Sequence, residues 1–149
     1  MIYVLVILGV IVLDRVVKLW LLSGYNVGDT TAVIGDFFHI TYVQNRGVAF
    51  SMLTGHEGII LAATSVLLCA GLVFLLLSRR MFSPLFSMGL ALVCGGGIGN
   101  VIDRALYGYV VDLFDFGWFP VFNVADICIC VGCGLMFLYV IRSMMTADQ

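Results

Sequence analysis

The sequence predicts an all-α membrane protein with four transmembrane helices, a small extracytoplasmic β-sheet and a surface loop. Of the 149 residues, 62% are hydrophobic and only 11% are charged, whereas about a quarter of the residues in soluble domains are charged. Four apolar stretches are long enough to cross a bilayer, and a segment rich in strand-forming residues separates the first two. A chain of this length is expected to form a single domain, here residues 1–149.

The four predicted membrane spans each contain the roughly 20 mostly apolar residues that crossing requires. They cover residues 2–22, 58–78, 86–107 and 121–142. The first span carries Asp14 and Lys18, and the second has no charged residue between Ile59 and Leu77. No basic segment or small-residue cleavage site marks the N-terminus as a signal peptide, so the first span is expected to be retained.

The basic residues at the ends of the spans predict the orientation of the chain. Arg79 and Arg80 form a basic pair in a short loop, and Arg142 follows the fourth span. Positively charged loops stay in the cytoplasm. Both termini are therefore expected to be cytoplasmic, with residues 24–57 and 108–120 on the outer face of the membrane.

The two outer segments differ in composition. The first is punctuated by glycines and contains many strand formers, namely Val33, Ile34, Phe37, Phe38, Ile40, Tyr42 and Val43. This pattern predicts a small amphipathic sheet on the outer membrane surface over residues 25–50; a partly ordered hydrophobic loop is the alternative. The second segment, 108–120, is interpreted as a surface loop in which Tyr109, Trp118 and Phe119 anchor at the membrane interface.

The most informative polar pattern is an Asn-x-x-Asp spacing that occurs twice in stretches otherwise typical of membrane helices. The two copies are Asn100 to Asp103 and Asn123 to Asp126, and Asp112 lies between them. Residues at i and i+3 lie on one face of a helix. Because carboxylates in hydrocarbon require a partner, a water cavity or a function, two such faces predict acid–base chemistry within the membrane.

Structural interpretations compete with this one at several positions. Asp14 and Lys18, at i and i+4, suit an internal salt bridge. Asp103 and Arg104 are neighbours in sequence and point apart on a helix, so a packing role with other partners is expected for both. Asn123 stands where a helix cap is expected.

Several classes of chemistry are excluded by the residues themselves. No His-Glu-x-x-His motif is present, and the serines in the spans lack a nearby His or Lys base. The five cysteines are interpreted as small apolar packing residues, and neither a metal nor another cofactor is expected. A net charge of −2 gives no basic surface for nucleic acid. Two interpretations remain: aspartic proteolysis by paired carboxylates, or a proton relay in a small transporter or channel subunit.

Five motifs in order along the chain resemble those of the bacterial lipoprotein signal peptidase family, also called signal peptidase II. They are Asp14-x-x-x-Lys18, Asn45-Arg46-Gly47-Val48-Ala49-Phe50-Ser51, Gly99-Asn100-Val101-Ile102-Asp103-Arg104, Val110-Val111-Asp112 and Phe119-Pro120-Val121-Phe122-Asn123-Val124-Ala125-Asp126. The chain departs from the family pattern at Leu113, where the family commonly has Phe.

The resemblance implies a function and a set of site residues. It implies an aspartic endopeptidase of the bacterial inner membrane, active as a monomer near the outer face, with Asp112 and Asp126 as the catalytic pair. The implied substrate is a prolipoprotein cut just before a diacylglyceryl-modified Cys, in contact with membrane lipids, and the implied inhibitors are globomycin-type peptides. Supporting or binding roles are implied for Asp14, Lys18, Asn45, Gly47, Asn100, Asp103, Arg104 and Asn123.

Overall fold

The computed structural model describes residues 1–47 and 83–147, together with residues 59, 63–64, 67–68 and 70–74. Three long helices are α1 (Ile2–Gly24), α2 (Pro84–Tyr107) and α3 (Val124–Ala147). Three strands are β1 (Thr30–Ile34), β2 (Phe38–Asn45) and β3 (Val110–Asp115).

Helices occupy the first, third and fourth predicted spans. Among the described residues, α2 and the Val124–Thr146 part of α3 are long and apolar enough to cross a membrane. Helix α1 has 23 residues but carries three charged side chains in its second half. The second predicted span, 58–78, lies largely outside the described residues, as do Arg79 and Arg80. Four membrane-crossing helices therefore stay a prediction.

The ends of α2 are set by local sequence signals. The Ser83 hydroxyl accepts a hydrogen bond from the Phe86 N–H at 3.3 Å, and Pro84 stands at the first helical position. Both features are favoured at helix N-termini. At the other end Gly108 adopts a left-handed conformation with φ 75° and donates its N–H to the Arg104 carbonyl. Because glycine enters this conformation without strain, the helix ends there and the chain turns directly into β3.

Glycines allow α2 to approach both of the other helices closely. A Cβ atom on Gly96 would collide with the carbonyl oxygen of Ala125 in α3, and one on Gly99 would lie 2.8 Å from Asp14 Oδ2 in α1. Small residues permit such close approach between membrane helices. Gly96 and Gly99 therefore let α2 pack directly against the backbone of α3 and the Asp14 side chain of α1.

The four described cysteines divide into buried and exposed positions, and Cys69 lies outside the described residues. Cys94 is buried in the contact between helices, as the packing interpretation predicted. Cys128 is half-buried, whereas Cys130 and Cys133 are exposed on α3, so the packing interpretation is wrong for these last two. An apolar helix surrounded by lipid presents many of its side chains outward, and composition alone does not separate the lipid-facing positions from the packed ones.

The sheet is antiparallel with strand order β1-β2-β3. The first two strands arise from the predicted segment 25–50, so the predicted sheet is confirmed, while its place on the outer membrane surface stays a prediction. The third strand comes from segment 108–120, which the sequence analysis interpreted as a loop, and Val43 of β2 is paired with Asp112 of β3. The loop interpretation is thus corrected for residues 110–115, where a carboxylate interrupts a short apolar run and conceals the strand pattern.

The sheet is held at one end of the helices by a small hydrophobic core. Its buried members are Leu21 of α1 together with Ile40, Tyr42, Val111 and Leu113 of β2 and β3. After β3 the chain turns at Gly117, and Phe122 returns to exchange backbone hydrogen bonds of 2.8 and 3.1 Å with Phe114. This return places Asn123 and the start of α3 beside Asp112.

Candidate active site

A cavity of about 500 Å³ lies where the end of α2, the strand β3 and the start of α3 meet. Its polar wall is formed by Asn45, Asn100, Arg104, Asp112 and Asp126. The remaining lining is largely aliphatic and aromatic and includes Phe119, Phe122, Ile127, Ile129 and Val131. Two carboxylates thus face a mainly apolar space.

Asp112 is almost completely buried, with 1% of its surface exposed. Its Oδ2 accepts a hydrogen bond from Asn45 Nδ2 at 3.0 Å, and its Oδ1 accepts one from Asn123 Nδ2 at 2.7 Å. Both side chains that donate to this carboxylate are neutral amides, which solvate the carboxylate without neutralising its charge.

Asp126 is half-buried in the first turn of α3, where it takes part in a capping arrangement. The Asn123 side chain accepts from the Asp126 N–H at 2.9 Å, and Asp126 Oδ2 accepts from the Asn123 N–H at 3.2 Å. This reciprocal pair is a capping box. The other oxygen of Asp126 accepts from Asn100 Nδ2 at 2.8 Å and remains at the cavity wall. The cap interpretation of Asn123 is confirmed, and the same side chain also reaches Asp112.

Asn100 and Asn123 connect the two aspartates. Asn123 Nδ2, which donates to Asp112, also lies 3.2 Å from Asn100 Oδ1, and the amide nitrogen of Asn100 donates to Asp126. The two Asn-x-x-Asp faces therefore meet, as the repeated spacing predicted. The carboxylates that they bring to one cavity are Asp112 and Asp126, while Asp103 lies in a separate cluster of charges.

The surroundings of Asp112 favour its protonated form. Burial raises the pKa of Asp112 from its ordinary value of 3.8 to about 7, and the negative charge of Asp126 acts in the same direction. The hydrogen bonds from Asn45 and Asn123 oppose this shift but do not cancel it. Two nearby carboxylates that cannot both ionise cheaply hold one proton between them.

A second pair of carboxylates lies behind this site. Lys18 Nζ contacts Asp14 Oδ2 at 2.9 Å and Asp103 Oδ2 at 2.7 Å, and Arg15 contacts both acids. The predicted Asp14–Lys18 salt bridge is present, within a larger cluster of four charged side chains. Lys18 also donates to Asn100 Oδ1 at 3.1 Å, which joins the cluster to the cavity wall.

Arg15 was not among the residues singled out from the sequence. The available signal was a third charge inside an apolar span, next to Asp14. Because residues adjacent on a helix point apart, this local pattern did not predict that the Arg15 side chain would reach both Asp14 and Asp103.

The remaining predicted residues fix the end of β2 at the cavity. Asn45 Oδ1 accepts the Gly47 N–H at 3.0 Å, and Arg104 Nη2 donates to the Gly47 carbonyl at 3.1 Å. Asp103 and Arg104 have separate partners, as predicted. Residues 48–51, which complete the motif that begins at Asn45, lie outside the described residues.

The fold and the site together define a class: a largely helical membrane protein whose buried carboxylate pair faces an apolar cavity. Comparison with known proteins makes this class specific. A family model described as signal peptidase (SPase) II matches residues 6–142. The chain belongs to the signal peptidase II family and is a peptidase.

Similar proteins agree with this assignment. A lipoprotein signal peptidase of Halothermothrix orenii is 40% identical over 93% of this chain and 94% of its own length. One of Clostridioides difficile is 37% identical over 95% of both chains. A solved structure described as a bacterial membrane enzyme superposes with a TM-score of 0.89 at 29% identity, over 95% of this chain and 88% of the other. Of the two chemistries left open by the sequence, the peptidase is the one these findings support.

Proposed function

We propose that the protein is an intramembrane aspartic endopeptidase that removes the signal peptide from diacylglyceryl-modified prolipoproteins, cutting just before the lipidated Cys. Asp112 and Asp126 are the catalytic pair and activate one water molecule. The observation that carries the proposal is that both carboxylates line the same apolar cavity and are joined through Asn100 and Asn123. The names of the relatives supply the substrate class.

The proposed reaction uses the single proton that the pair holds at neutral pH. The ionised carboxylate takes a proton from water as the water oxygen attacks the scissile carbonyl carbon, and the protonated carboxyl gives its proton to the carbonyl oxygen. When the tetrahedral intermediate collapses, the C–N bond breaks and the leaving nitrogen receives the proton that was taken from water. At the same time a hydroxyl of the intermediate returns a proton to the other carboxylate, so that the carbonyl re-forms and the pair again holds one proton. The raised pKa of Asp112, about 7, supports a shared proton.

The supporting residues orient this pair. Asn45 and Asn123 donate to Asp112, and Asn100 donates to Asp126, so the amides fix both carboxylates without adding charge. Arg104 lines the same cavity and holds the Gly47 carbonyl, which positions the end of β2 for contact with the bound peptide.

The shape and lining of the cavity support a lipidated substrate. An apolar wall beside the carboxylates, including Phe119, Ile127 and Val131, suits a signal-peptide helix and acyl chains while limiting stray water. Globomycin-type peptides, as apolar ligands of the same family, are proposed to bind in this cavity. Membrane lipids are the proposed neighbours of the exposed apolar side chains of α1 and α3.

The proposed topology has four spans in one domain, both termini in the cytoplasm, and the sheet and cavity near the outer face of the inner membrane. Support comes from the two apolar helices, from α1 as a 23-residue helix, and from the placement of the sheet at one end of the helices. The protein is proposed to act as a monomer, since both proposed catalytic residues come from one chain.

The decisive experiment compares Asp112→Asn and Asp126→Asn with Asp115→Asn in purified protein incubated with a lipid-modified prolipoprotein. Each of the first two changes should lower the cleavage rate by about a thousandfold or more while the fold is kept, because acid and base act as a unit. Asp115→Asn is the matched control on the same strand and should cleave normally. Normal cleavage by Asp112→Asn together with loss of cleavage in Asp115→Asn would show that Asp115, and not Asp112, is the catalytic acid of this strand. A chelator should leave the activity intact.

A further inference from the structure

We propose that Arg15 is a positioning residue for the reaction. Together with Lys18 it balances the charge of Asp14 and Asp103. Each of these two carboxylates accepts the backbone N–H of the residue that immediately precedes one of the catalytic aspartates. This inference rests on the assignment of Asp112 and Asp126 in the proposed function.

Each carboxylate of the cluster accepts one backbone N–H from the active-site segments. Asp103 Oδ2 accepts the Val111 N–H at 3.1 Å, and Val111 precedes Asp112. Asp14 Oδ1 accepts the Ala125 N–H at 3.0 Å, and Ala125 precedes Asp126. The two anchored peptide groups thus stand at equivalent places, one residue before each member of the catalytic pair.

The charges of the cluster balance only when Arg15 is counted. Asp14 and Asp103 are both fully buried, and Lys18 is 1% exposed and contacts the two acids at once. One ammonium group cannot neutralise two carboxylates. The Arg15 guanidinium supplies the second positive charge, and an uncompensated buried charge is strongly unfavourable.

Arg15 reaches three acceptors through one nitrogen. Its Nη2 contacts Asp14 Oδ2 at 3.2 Å, Asp103 Oδ1 at shorter range, and the Gly99 carbonyl at 3.4 Å. Within the part of the chain that the structure describes, the buried Nε of Arg15 has no hydrogen-bond partner. An unsatisfied buried donor is costly. The Arg15 side chain therefore keeps its two carboxylate contacts although its Nε–H group remains without a hydrogen bond.

Loss of Arg15 is expected to act on the chemical step. With one cation removed, one of the two buried carboxylates loses its ion-pair partner, and its hold on the backbone weakens. Arg15 does not line the cavity, so substrate binding should be little affected. Small displacements of catalytic groups are known to lower rates strongly.

The test uses the full-length protein in detergent or nanodiscs with a lipidated prolipoprotein peptide. Arg15→Met should lower kcat by about tenfold or more with KM changed by less than about twofold, and Arg15→Lys should recover most of the loss because it restores the charge. Amide hydrogen exchange at Val111 and Ala125 should become about tenfold faster in Arg15→Met. Arg142→Met, at an exposed arginine near the end of α3, is the matched control and should change neither quantity.

Wild-type kcat and wild-type exchange in Arg15→Met would overturn the proposal, as would a failure of Arg15→Lys to recover activity. If Arg15→Met does not fold, Arg15→Gln replaces it with the same expected directions and the same overturning result. Parallel assays of Asp112→Asn and Asp126→Asn separate the assignment of the catalytic pair from the positioning role of Arg15. Normal cleavage by those variants contradicts the catalytic assignment, whereas the exchange at Val111 and Ala125 tests the role of Arg15 without reference to activity.

Discussion

The protein contains two pairs of buried or half-buried carboxylates, and the two pairs have different kinds of partners. Asp14 and Asp103 contact the cationic side chains of Arg15 and Lys18. Asp112 and Asp126 receive their side-chain hydrogen bonds from asparagine amides. Lys18 joins the two regions through Asn100.

This difference shows why burial alone does not identify a catalytic acid. Cations neutralise the first pair, which is then suited to hold backbone groups in place. Among the described residues the second pair forms no salt bridge. Lys18 lowers the pKa of Asp112, but burial together with Asp126 outweighs it and raises that pKa to about 7. A carboxyl group with that pKa can give or take a proton at neutral pH, as general acid–base catalysis requires.

The largest expected effect comes from removing one acid of each pair and measuring stability. Asp103→Ala should lower the free energy of unfolding by about 3–5 kcal/mol, because the buried Lys18 and the half-buried Arg15 then share a single carboxylate. Asp112→Asn should lower it much less, since a neutral amide replaces a group that is not paired with a cation. Thermal unfolding in detergent measures both, with the exposed Asp36→Asn as control. Equal destabilisation by the two changes would contradict the division into structural and catalytic pairs.

The pH dependence of stability separates the pairs in a second way. The pKa of Asp112 is about 7 in the folded protein against an ordinary 3.8. The stability contributed by this group is therefore fully present below about pH 4 and has been lost once the pH has risen through 7. Between these values the unfolded chain has released a proton that the folded protein still holds, so a rising pH favours unfolding. A difference of about three in pKa corresponds to at most about 4 kcal/mol.

Unfolding measured at pH 5 and pH 8.5 should therefore show the wild type losing stability relative to Asp112→Asn as the pH rises. Parallel curves for the two proteins would mean that Asp112 is ionised throughout and carries no proton for the reaction.

A change in the spacing of α2 and α3 should disturb the catalytic pair more than the charged cluster between α1 and α2. Gly96→Ala places a methyl group against the Ala125 carbonyl, at an expected cost of about 1–3 kcal/mol. The displaced α3 should lengthen the Asn100–Asp126 hydrogen bond and lower the cleavage rate. Gly134→Ala on α3 is the matched control, because a Cβ there meets no atom within 4 Å. Similar activity and stability in both variants would contradict the close contact.

The smallest expected effect distinguishes the two tasks of Asn123. Asn123→Ser keeps a side-chain oxygen that can cap α3 but removes the amide that donates to Asp112, whereas Asn123→Ala removes both. The Ala variant should be about 1 kcal/mol less stable than the Ser variant. Both should cleave slowly, and a cleavage assay combined with thermal unfolding measures the difference. Wild-type cleavage by Asn123→Ser would show that the donor to Asp112 is dispensable.

Much of the fold followed from local pattern. Helix α1 lies within about two residues of its predicted span, and α2 begins at Pro84 beside a Ser cap that the sequence displays. Strand β3 could not be predicted from local sequence, because Asp112 interrupts its apolar run and its pairing partner β2 is distant in sequence. A strand that gains its hydrogen bonds from a distant segment has a weak local signature.

Three conclusions could be drawn before the structure was known: the chain is a membrane protein, its carboxylates require partners, and its motifs match those of one peptidase family. These conclusions depend on composition, on the period of a helix and on the order of short motifs, all of which are local. Which carboxylates share a cavity and which share cations became clear only once the packed structure was available. That division depends on distances between residues far apart in sequence, such as Asp14 to Ala125 and Asn45 to Asp112. Such distances are set by the packing of α1, α2 and the sheet against one another.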